Sequence, residues 1–170
     1  FITADFGAPA LDRLRDDLPE QFLHAGISEQ NMIDVAAGLA LSGKKVYVYA
    51  MGPFITLRCL EQLKCSLAQM NLPVTVISVG LGLGYADAGP THYITEDLAC
   101  LRSIVNFEVY TPSDLSTVVE LAELTNKNPA LRLLRLDRNA VEDLYSQGVS
   151  VDVGFAELKK GDRIGILSCG

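Results

Sequence analysis

The chain has 170 residues, of which 49% are hydrophobic and 21% are charged, so it can bury the core of a single globular domain. It carries 14 Lys and Arg residues against 21 Asp and Glu residues, and the formal charge of -7 repels phosphate backbones and argues against nucleic acid as a partner. Every apolar run ends well before the roughly 18 residues that span a bilayer, and no signal-peptide pattern opens the chain, so we expect a cytoplasmic protein without a membrane segment.

Apolar runs of strand length alternate with longer segments of helical period, which is typical of parallel strands joined by crossover helices. Most of the runs are near-continuous in Val, Ile, Leu, Tyr or Phe, as expected for strands that are covered on both faces. We therefore predict an α/β fold, a three-layer sandwich with a mostly parallel central sheet. The predicted strands are Phe1–Ala4, Phe22–Ala25, Lys45–Ala50, Val74–Val79, Phe107–Tyr110 and Leu131–Leu136.

Helices are predicted between these strands. The first is rich in Ala and ends at Ser42-Gly43, where Gly can adopt a left-handed conformation. The second has Leu or Met at every third or fourth position and ends before Pro73. The last begins where Ser113 or Asp114 can cap it. The predicted helices are Glu29–Leu41, Phe54–Met70, Thr95–Ile104 and Ser113–Leu124.

The pattern becomes irregular in residues 139–154, and Ile164–Ser168 then has the composition of a strand with no element after it. We predict that residues 1–155 form one domain and that residues 156–170 are a linker and the first strand of a missing C-terminal domain. The four cysteines include no Cys-x-x-Cys pair, so we expect neither a disulfide nor a metal site in this chain.

One candidate functional residue is Glu29, in the segment Gly-Ile-Ser-Glu-Gln-Asn-Met at residues 26–32. The segment lies where a predicted strand ends and a helix begins, and open α/β sheets bind their ligands at this edge. The same residues also fit a purely structural interpretation, in which Ser28 caps the helix and Glu29 stabilises its positive end. Position alone does not choose between the two interpretations.

A second candidate is the glycine-rich segment of residues 80–92, because glycines let a backbone approach a ligand closely. It matches neither a dinucleotide fingerprint nor a phosphate-binding loop. In this loop His92 is expected to be an exposed, functional imidazole, and Asp87 is either a turn residue or a site carboxylate. His24, the other histidine, lies in a strand that looks buried and fits a core histidine unless the site extends to it.

Several motifs occur together in chain order, and in that order they resemble the pyrimidine-binding domain of transketolase and of deoxyxylulose-phosphate synthase over nearly the whole chain. They are Ala4-Asp5, the segment at 26–32 followed by Ala36-Ala37-Gly38-Leu39-Ala40, Gly52-Pro53-Phe54, Gly89-Pro90-Thr91-His92 with Glu96-Asp97-Leu98-Ala99, Leu101-Arg102-Ser103-Ile104 and Thr111-Pro112-Ser113-Asp114. The resemblance implies part of a thiamine-diphosphate enzyme that transfers aldehyde or ketone residues, with transketolase-like transfer of a two-carbon ketol unit. The alternatives are a synthase-like condensation of a 2-oxo acid with an aldehyde, or a non-catalytic binding or assembly module of the same fold.

The resemblance also assigns roles to residues. Glu29 matches the family acid that hydrogen-bonds the aminopyrimidine ring of thiamine diphosphate and activates it, a task that suits a carboxyl able to share a proton. Phe54 matches the aromatic residue that lies against this ring, although its position alone also fits a core residue. Leu57, or Arg58, falls where a second aromatic or a basic residue contacts the cofactor. His92 matches a catalytic histidine that faces the substrate.

The sequence departs from the family pattern where the sugar is recognised. Ala88 replaces the Asp that is usual before Gly-Pro-Thr-His, and Asp87 stands one residue earlier. His24 stands where an Arg is common, and Tyr93 is a further difference. His24, Asp87 and His92 are expected to face the substrate, and the differences argue against an ordinary pentose phosphate.

The residues contain no Gly-Asp-Gly motif for the diphosphate end of the cofactor. In the family a separate domain with that motif binds the diphosphate together with a divalent metal, so Mg2+ is expected there and not on this chain. The resemblance therefore implies that this chain is inactive alone. It would require a diphosphate-binding domain or subunit, in a homodimer or a heterotetramer.

Overall fold

Six parallel strands form one sheet in the computed structural model, which describes residues 1–5, 7–145, 151 and 154–169. They are β1 (Ile2–Thr3), β2 (Leu23–His24), β3 (Val46–Met51), β4 (Val74–Val79), β5 (Glu108–Tyr110) and β6 (Arg132–Leu136). Their spatial order is β2-β1-β3-β4-β6-β5, and each neighbouring pair is parallel. Each predicted strand is therefore confirmed, and so is the α/β fold.

The helices are α1 (Asp12–Asp17), α2 (Glu29–Leu41), α3 (Gly52–Ile55), α4 (Leu60–Gln62), α5 (Asp97–Leu101) and α6 (Leu115–Lys127). α2 has the predicted bounds, α5 is shorter than predicted, and the sequence pattern did not predict α1. Asp114 caps α6, since its carboxylate accepts the backbone N–H of Thr117 at 2.9 Å. No helix among the described residues is long and apolar enough to cross a membrane.

The prediction of one continuous helix over Phe54–Met70 is wrong. The structure has α3, a turn at residues 56–59, α4 and a π-helix at Leu63–Ala68. The helix is interrupted where the Thr56 hydroxyl donates to the carbonyl of Gly52 at 2.6 Å, a local bond of the kind that bends helices. The turn follows directly on the carboxyl end of β3 and α3, and it shapes the site described below.

The main core lies between one face of the sheet and the layer formed by α2, α4 and the π-helix. Alternate residues of β3 point into it and meet apolar residues of the helices, all of them buried: Val46, Val48, Ala50, Met32, Ile33, Leu63 and Leu67. On the opposite face, the hydroxyl of Tyr47 lies 3.1 Å from that of Thr125 in α6. Helices thus cover both faces of the sheet, which confirms the three-layer sandwich.

Residues 164–168 form no strand in the structure, although their composition predicts one. Their apolar side chains are exposed, with 90% of Ile166 accessible to solvent. A strand needs a hydrogen-bonded neighbour, and none of the described strands lies beside this segment. The domain boundary at residue 155 therefore stays a prediction, and part of the irregular stretch 139–154 lies outside the described residues.

Candidate functional site

The carboxyl ends of the parallel strands meet at one edge of the sheet, and the candidate residues lie on segments that leave this edge. α2 begins at Glu29 shortly after β2 ends, and α3 begins directly after β3. The glycine-rich segment of residues 80–92 follows β4. The topology thus brings both candidate segments to the edge where α/β folds bind ligands.

Glu29 is buried at the start of α2, with 4% of its surface exposed. Its Oε2 accepts a hydrogen bond from Nη1 of Arg58 at 2.8 Å. A buried carboxylate is unfavourable unless a cation or hydrogen-bond donors compensate its charge, and Arg58 does so here. Ser28 does not cap the helix through its side chain, because its hydroxyl donates to the carbonyl of Ala25 at 2.7 Å. The capping interpretation of Ser28 is therefore wrong, and Glu29 does more than stabilise a helix end.

Phe54 connects Arg58 to His92. The guanidinium carbon of Arg58 lies 4.1 Å from the centre of the Phe54 ring, a cation-π contact. The Phe54 and His92 rings meet edge to face with their centroids 5.3 Å apart. Nδ1 of His92 lies 2.9 Å from the hydroxyl of Thr91, which fixes the ring. Glu29, Arg58, Phe54 and His92 thus form one continuous group of side chains, here called the carboxyl-edge cluster.

Cys59 shows how far the charge of this cluster reaches. It is fully buried beneath the turn, and its thiol donates to the carbonyl of Phe54 at 3.1 Å. Burial raises the pKa of the Cys59 thiol to about 12, with a further contribution from the negative charge of Glu29. The thiol is therefore a neutral, unreactive neighbour of the site at physiological pH.

The loop of residues 80–96 is held in a compact shape by its glycines. Gly80 has a φ of 87°, which favours glycine, and a Cβ atom there would lie 2.2 Å from the Tyr85 ring. The backbone N–H of Ile94 donates to the carbonyl of Gly82 at 2.8 Å and closes the loop. In the described chain, these glycines therefore serve the packing of the loop that carries the catalytic candidate His92.

His24 is exposed, so the expectation that it packs in the core is wrong. The reason is that β2 is a two-residue strand at the edge of the sheet. The N–H of Gly26 donates to Nδ1 of His24 at 3.0 Å, so Nε2 carries the ring hydrogen and donates to the carbonyl of Asp5 at 3.2 Å. These bonds hold the imidazole in one neutral tautomer.

Asp87 pairs outside the carboxyl-edge cluster. Its Oδ1 accepts a hydrogen bond from Nη1 of Arg138 at 2.8 Å, and both side chains are substantially exposed. Arg138 also lies over the Tyr85 ring and donates to the carbonyl of Gly84 at 3.2 Å. The sequence interpretation missed Arg138, although it follows β6 and so belongs to the same edge. Leu57 is half-buried in the turn beside the cluster.

The family described as "Transketolase, pyrimidine binding domain" matches residues 1–142. The chain belongs to this family. One of the two subunits that make up the apulose-4-phosphate transketolase of Phocaeicola vulgatus is 36% identical over 145 residues, which are 85% of this chain and 46% of that protein. 1-Deoxy-D-xylulose-5-phosphate synthase of Prochlorococcus marinus is 33% identical over 165 residues, which are 95% of this chain and 26% of that protein.

A solved structure titled "Split gene transketolase, inactive beta4 tetramer" matches with a TM-score of 0.79 and 26% identity, over 94% of this chain and 52% of that chain. This transketolase pyrimidine-binding domain therefore spans about half, or less, of the length of the relatives it matches. The resemblance carried by the ordered motifs is confirmed, both in sequence and in fold.

The carboxyl-edge cluster fits the aminopyrimidine end of thiamine diphosphate. It already holds a planar, nitrogen-bearing group, the Arg58 guanidinium, which lies on Phe54 and donates a hydrogen bond to Glu29. An aminopyrimidine offers the same combination of a flat π surface and an N–H donor. Among the described residues, no three His, Cys, Asp or Glu side chains are grouped so that they could hold a metal ion.

Proposed function

We propose that this pyrimidine-binding domain supplies the cofactor-activating acid of a thiamine-diphosphate-dependent, transketolase-type transferase. The observation that carries the proposal is the buried carboxylate of Glu29 beside the ring of Phe54, with a planar nitrogen group between them. Glu29 would hydrogen-bond the aminopyrimidine ring while Phe54 stacks on it. The bound cofactor supplies the nucleophilic carbon for two-carbon ketol transfer, and the chain orients the ring and shares a proton with it.

His92 is proposed to exchange protons with the substrate. Its ring packs against the edge of Phe54, so it lies next to the position proposed for the cofactor ring. Thr91 interacts with Nδ1, which makes Nε2 the nitrogen suited to proton transfer. Asp87 and His24 leave the same edge of the sheet and are proposed substrate contacts, and Leu57 is a proposed cofactor contact.

A second polypeptide or domain is proposed to complete the site. The relatives at about twice this length include a protein named as one subunit of a transketolase and a structure titled as a split-gene transketolase, which supports a separate diphosphate-binding partner. That partner would bind the diphosphate and Mg2+, in a homodimer or a heterotetramer in the cytoplasm. Residues 1–155 would form the pyrimidine-binding domain, and residues 156–170 would lead into a further domain.

Condensation of a 2-oxo acid with an aldehyde is the second candidate reaction. It is supported by the 33% identity to a deoxyxylulose-phosphate synthase over 95% of this chain. The choice between the two reactions is proposed to depend on Asp87 and His24, because these are the positions where the sequence departs from the transketolase pattern. Comparing sugar and 2-oxo acid donors with the assembled enzyme would decide between them.

The substitution Glu29→Gln tests the proposed function. Gln preserves the size of the side chain and can still accept a hydrogen bond from Arg58, but an amide cannot share a proton with the cofactor. We expect thiamine-diphosphate-dependent ketol transfer by the complex of this chain with its diphosphate-binding partner to fall at least about 100-fold. The measurement is the steady-state rate with Mg2+ and saturating cofactor.

Glu61→Gln is the matched control, because Glu61 is exposed in α4, and it should retain wild-type activity. Wild-type activity in Glu29→Gln would overturn the role of the acid. A complex that assembles but binds no thiamine diphosphate would instead support the non-catalytic module.

A further inference from the structure

Arg58 makes at once the two contacts that the proposed function gives to the aminopyrimidine ring. Its guanidinium carbon lies 4.1 Å from the centre of the Phe54 ring. Its Nη1 donates a hydrogen bond of 2.8 Å to Oε2 of Glu29. One planar group can occupy this face of Phe54 and this carboxylate oxygen at a time.

The shape and hydrogen bonding of the two groups explain why they would compete. A guanidinium and a 4-aminopyrimidine are both flat, and both present N–H donors on an N–C–N edge that suits a carboxylate. We propose that Arg58 is an internal competitor for the aminopyrimidine ring, which occupies the cofactor position on Phe54 and Glu29 and is displaced when thiamine diphosphate binds. This inference rests on the proposed function of Glu29 and Phe54.

The position of Arg58 allows this displacement. The residue lies in the turn at 56–59 between α3 and α4, and 42% of its side chain is exposed. Within the part of the chain that the structure describes, the bond to Glu29 is the only hydrogen bond of the guanidinium. The side chain can therefore rotate into water without breaking the core or a second polar contact.

The competition has a benefit and a consequence for the domain. While Arg58 is in place, the carboxylate of Glu29, which is 5% exposed, has a compensating cation. The cofactor replaces this cation with a ring that can share a proton with the carboxyl group. Because only the open state accepts the cofactor, the apparent affinity is reduced by the fraction of molecules in that state. Arg58 thus sets the cofactor affinity.

Arg58→Met tests the proposal, because Met fills a similar volume but carries neither charge nor donors. The complex of this chain with its diphosphate-binding partner is titrated with thiamine diphosphate and Mg2+ by calorimetry and stopped flow. We expect the Kd to fall by about tenfold and the association rate to rise, as the closed state is removed. Unchanged or weaker binding would overturn the proposal, and weaker binding would make Arg58 a direct cofactor contact.

Arg15→Met is the matched control. Arg15 also lies over an aromatic ring, 5.3 Å from the centre of Phe22, and pairs with the carboxylate of Asp12 at 2.8 Å. It therefore loses the same kinds of contact on another part of the surface, and its Kd for the cofactor should equal that of wild type. Thermal unfolding of both variants, followed by circular dichroism, confirms that they fold.

The position of Arg58 can also be followed in the unmutated protein. The guanidinium protons should show an upfield ring-current shift in NMR spectra of the cofactor-free protein, which Phe54→Leu identifies by its loss. Saturating thiamine diphosphate should abolish this shift. A shift that persists in the cofactor-bound complex would contradict displacement.

Failure of the underlying function gives a different result. If Glu29→Gln and Phe54→Leu left cofactor affinity unchanged, or if wild type bound no cofactor, the proposed site itself would be wrong and the competition with it. If those variants weakened binding while Arg58→Met did not tighten it, the site would stand and the competition would be wrong.

Discussion

At the scale of single residues, one buried carboxylate organises its surroundings. Glu29 has its compensating charge in Arg58, 29 positions later in the chain, and its negative charge contributes to the raised pKa of Cys59. A carboxylate at this depth is retained only where a partner or a ligand compensates it. The contacts of Glu29 therefore distinguish it from an ordinary acidic residue at the first turn of a helix.

Cys59 should resist thiol reagents in the folded protein. Its pKa of about 12 means that the nucleophilic thiolate is scarce at pH 8, and burial also blocks access. We expect dithionitrobenzoate at pH 8 to modify the exposed Cys65 quickly and Cys59 only after unfolding. Peptide mapping of the labelled sites measures this, and labelling of both residues at equal rates would show that the turn opens readily.

At the scale of secondary structure elements, the ends of helices decide what the strand and helix patterns leave open. α6 is fixed at its start by a capping box between Asp114 and Thr117. The other carboxylate oxygen of Asp114 accepts the backbone N–H of Leu144 at 3.0 Å and that of Tyr145 at 3.3 Å. One side chain thus caps a helix and fastens a distant segment of the chain.

Asp114→Ala should lower the free energy of unfolding by about 1–2 kcal/mol at pH 7, the usual effect of losing a helix cap. Urea unfolding followed by circular dichroism measures this. Asp16→Ala, at an exposed position of α1, is the control and should change stability little. An equal loss in both variants would contradict the importance of the cap.

The same substitution should lose its effect in acid. Burial raises the pKa of Asp114, but hydrogen bonds from Thr117, Leu144 and Ser116 outweigh it and lower the pKa from 3.8 to about 2. A group with a lowered pKa in the folded state stabilises the protein fully above its unfolded value and loses this effect as the pH falls through its folded value. The stability difference between wild type and Asp114→Ala should therefore shrink between pH 4 and pH 2. A difference that stays constant over this range would contradict the assignment.

At the scale of the whole molecule, a buried ion pair ties the loop that carries His92 to the sheet. Arg135 of β6 binds both carboxylate oxygens of Asp97 in α5, at 2.7 and 3.0 Å, and its Nη1 donates to the Thr111 hydroxyl at 2.9 Å. At the other end of the loop, the N–H of Gly80 donates to the Leu136 carbonyl at 2.9 Å. Both ends of the loop are thus held by β6, which lies next to β4 in the sheet.

Asp97→Asn should destabilise the fold, because it leaves the guanidinium of Arg135 buried without its countercharge. Breaking a buried pair in this way lowers the free energy of unfolding by about 3–5 kcal/mol. Asp17→Asn, which removes the partner of Arg13 in an exposed pair, is the control and should have little effect. Chemical unfolding of both variants measures the difference, and similar values for the two would rule out a structural role for the buried pair.

Sequence patterns predicted the elements whose information is local. The six strands are near-continuous apolar runs, and α2 is defined by its Ala-rich composition and its Gly43 stop, so each is specified within its own residues. The order of the motifs was enough to identify the family. The segment Phe54–Met70 was mispredicted because its apolar period fits a single helix, whereas the bond from Thr56 to Gly52 interrupts it.

The sequence by itself determined the sheet, its helical layers and the family, because apolar periodicity and motif order are properties of neighbouring residues. Only the tertiary structure decided that Arg58 meets both Glu29 and Phe54, that Asp87 pairs with Arg138 and that His24 is exposed. These contacts depend on which strands are neighbours and on how the turn at 56–59 directs its side chains. Neither is encoded in a local pattern, since each results from packing segments that are distant in the chain.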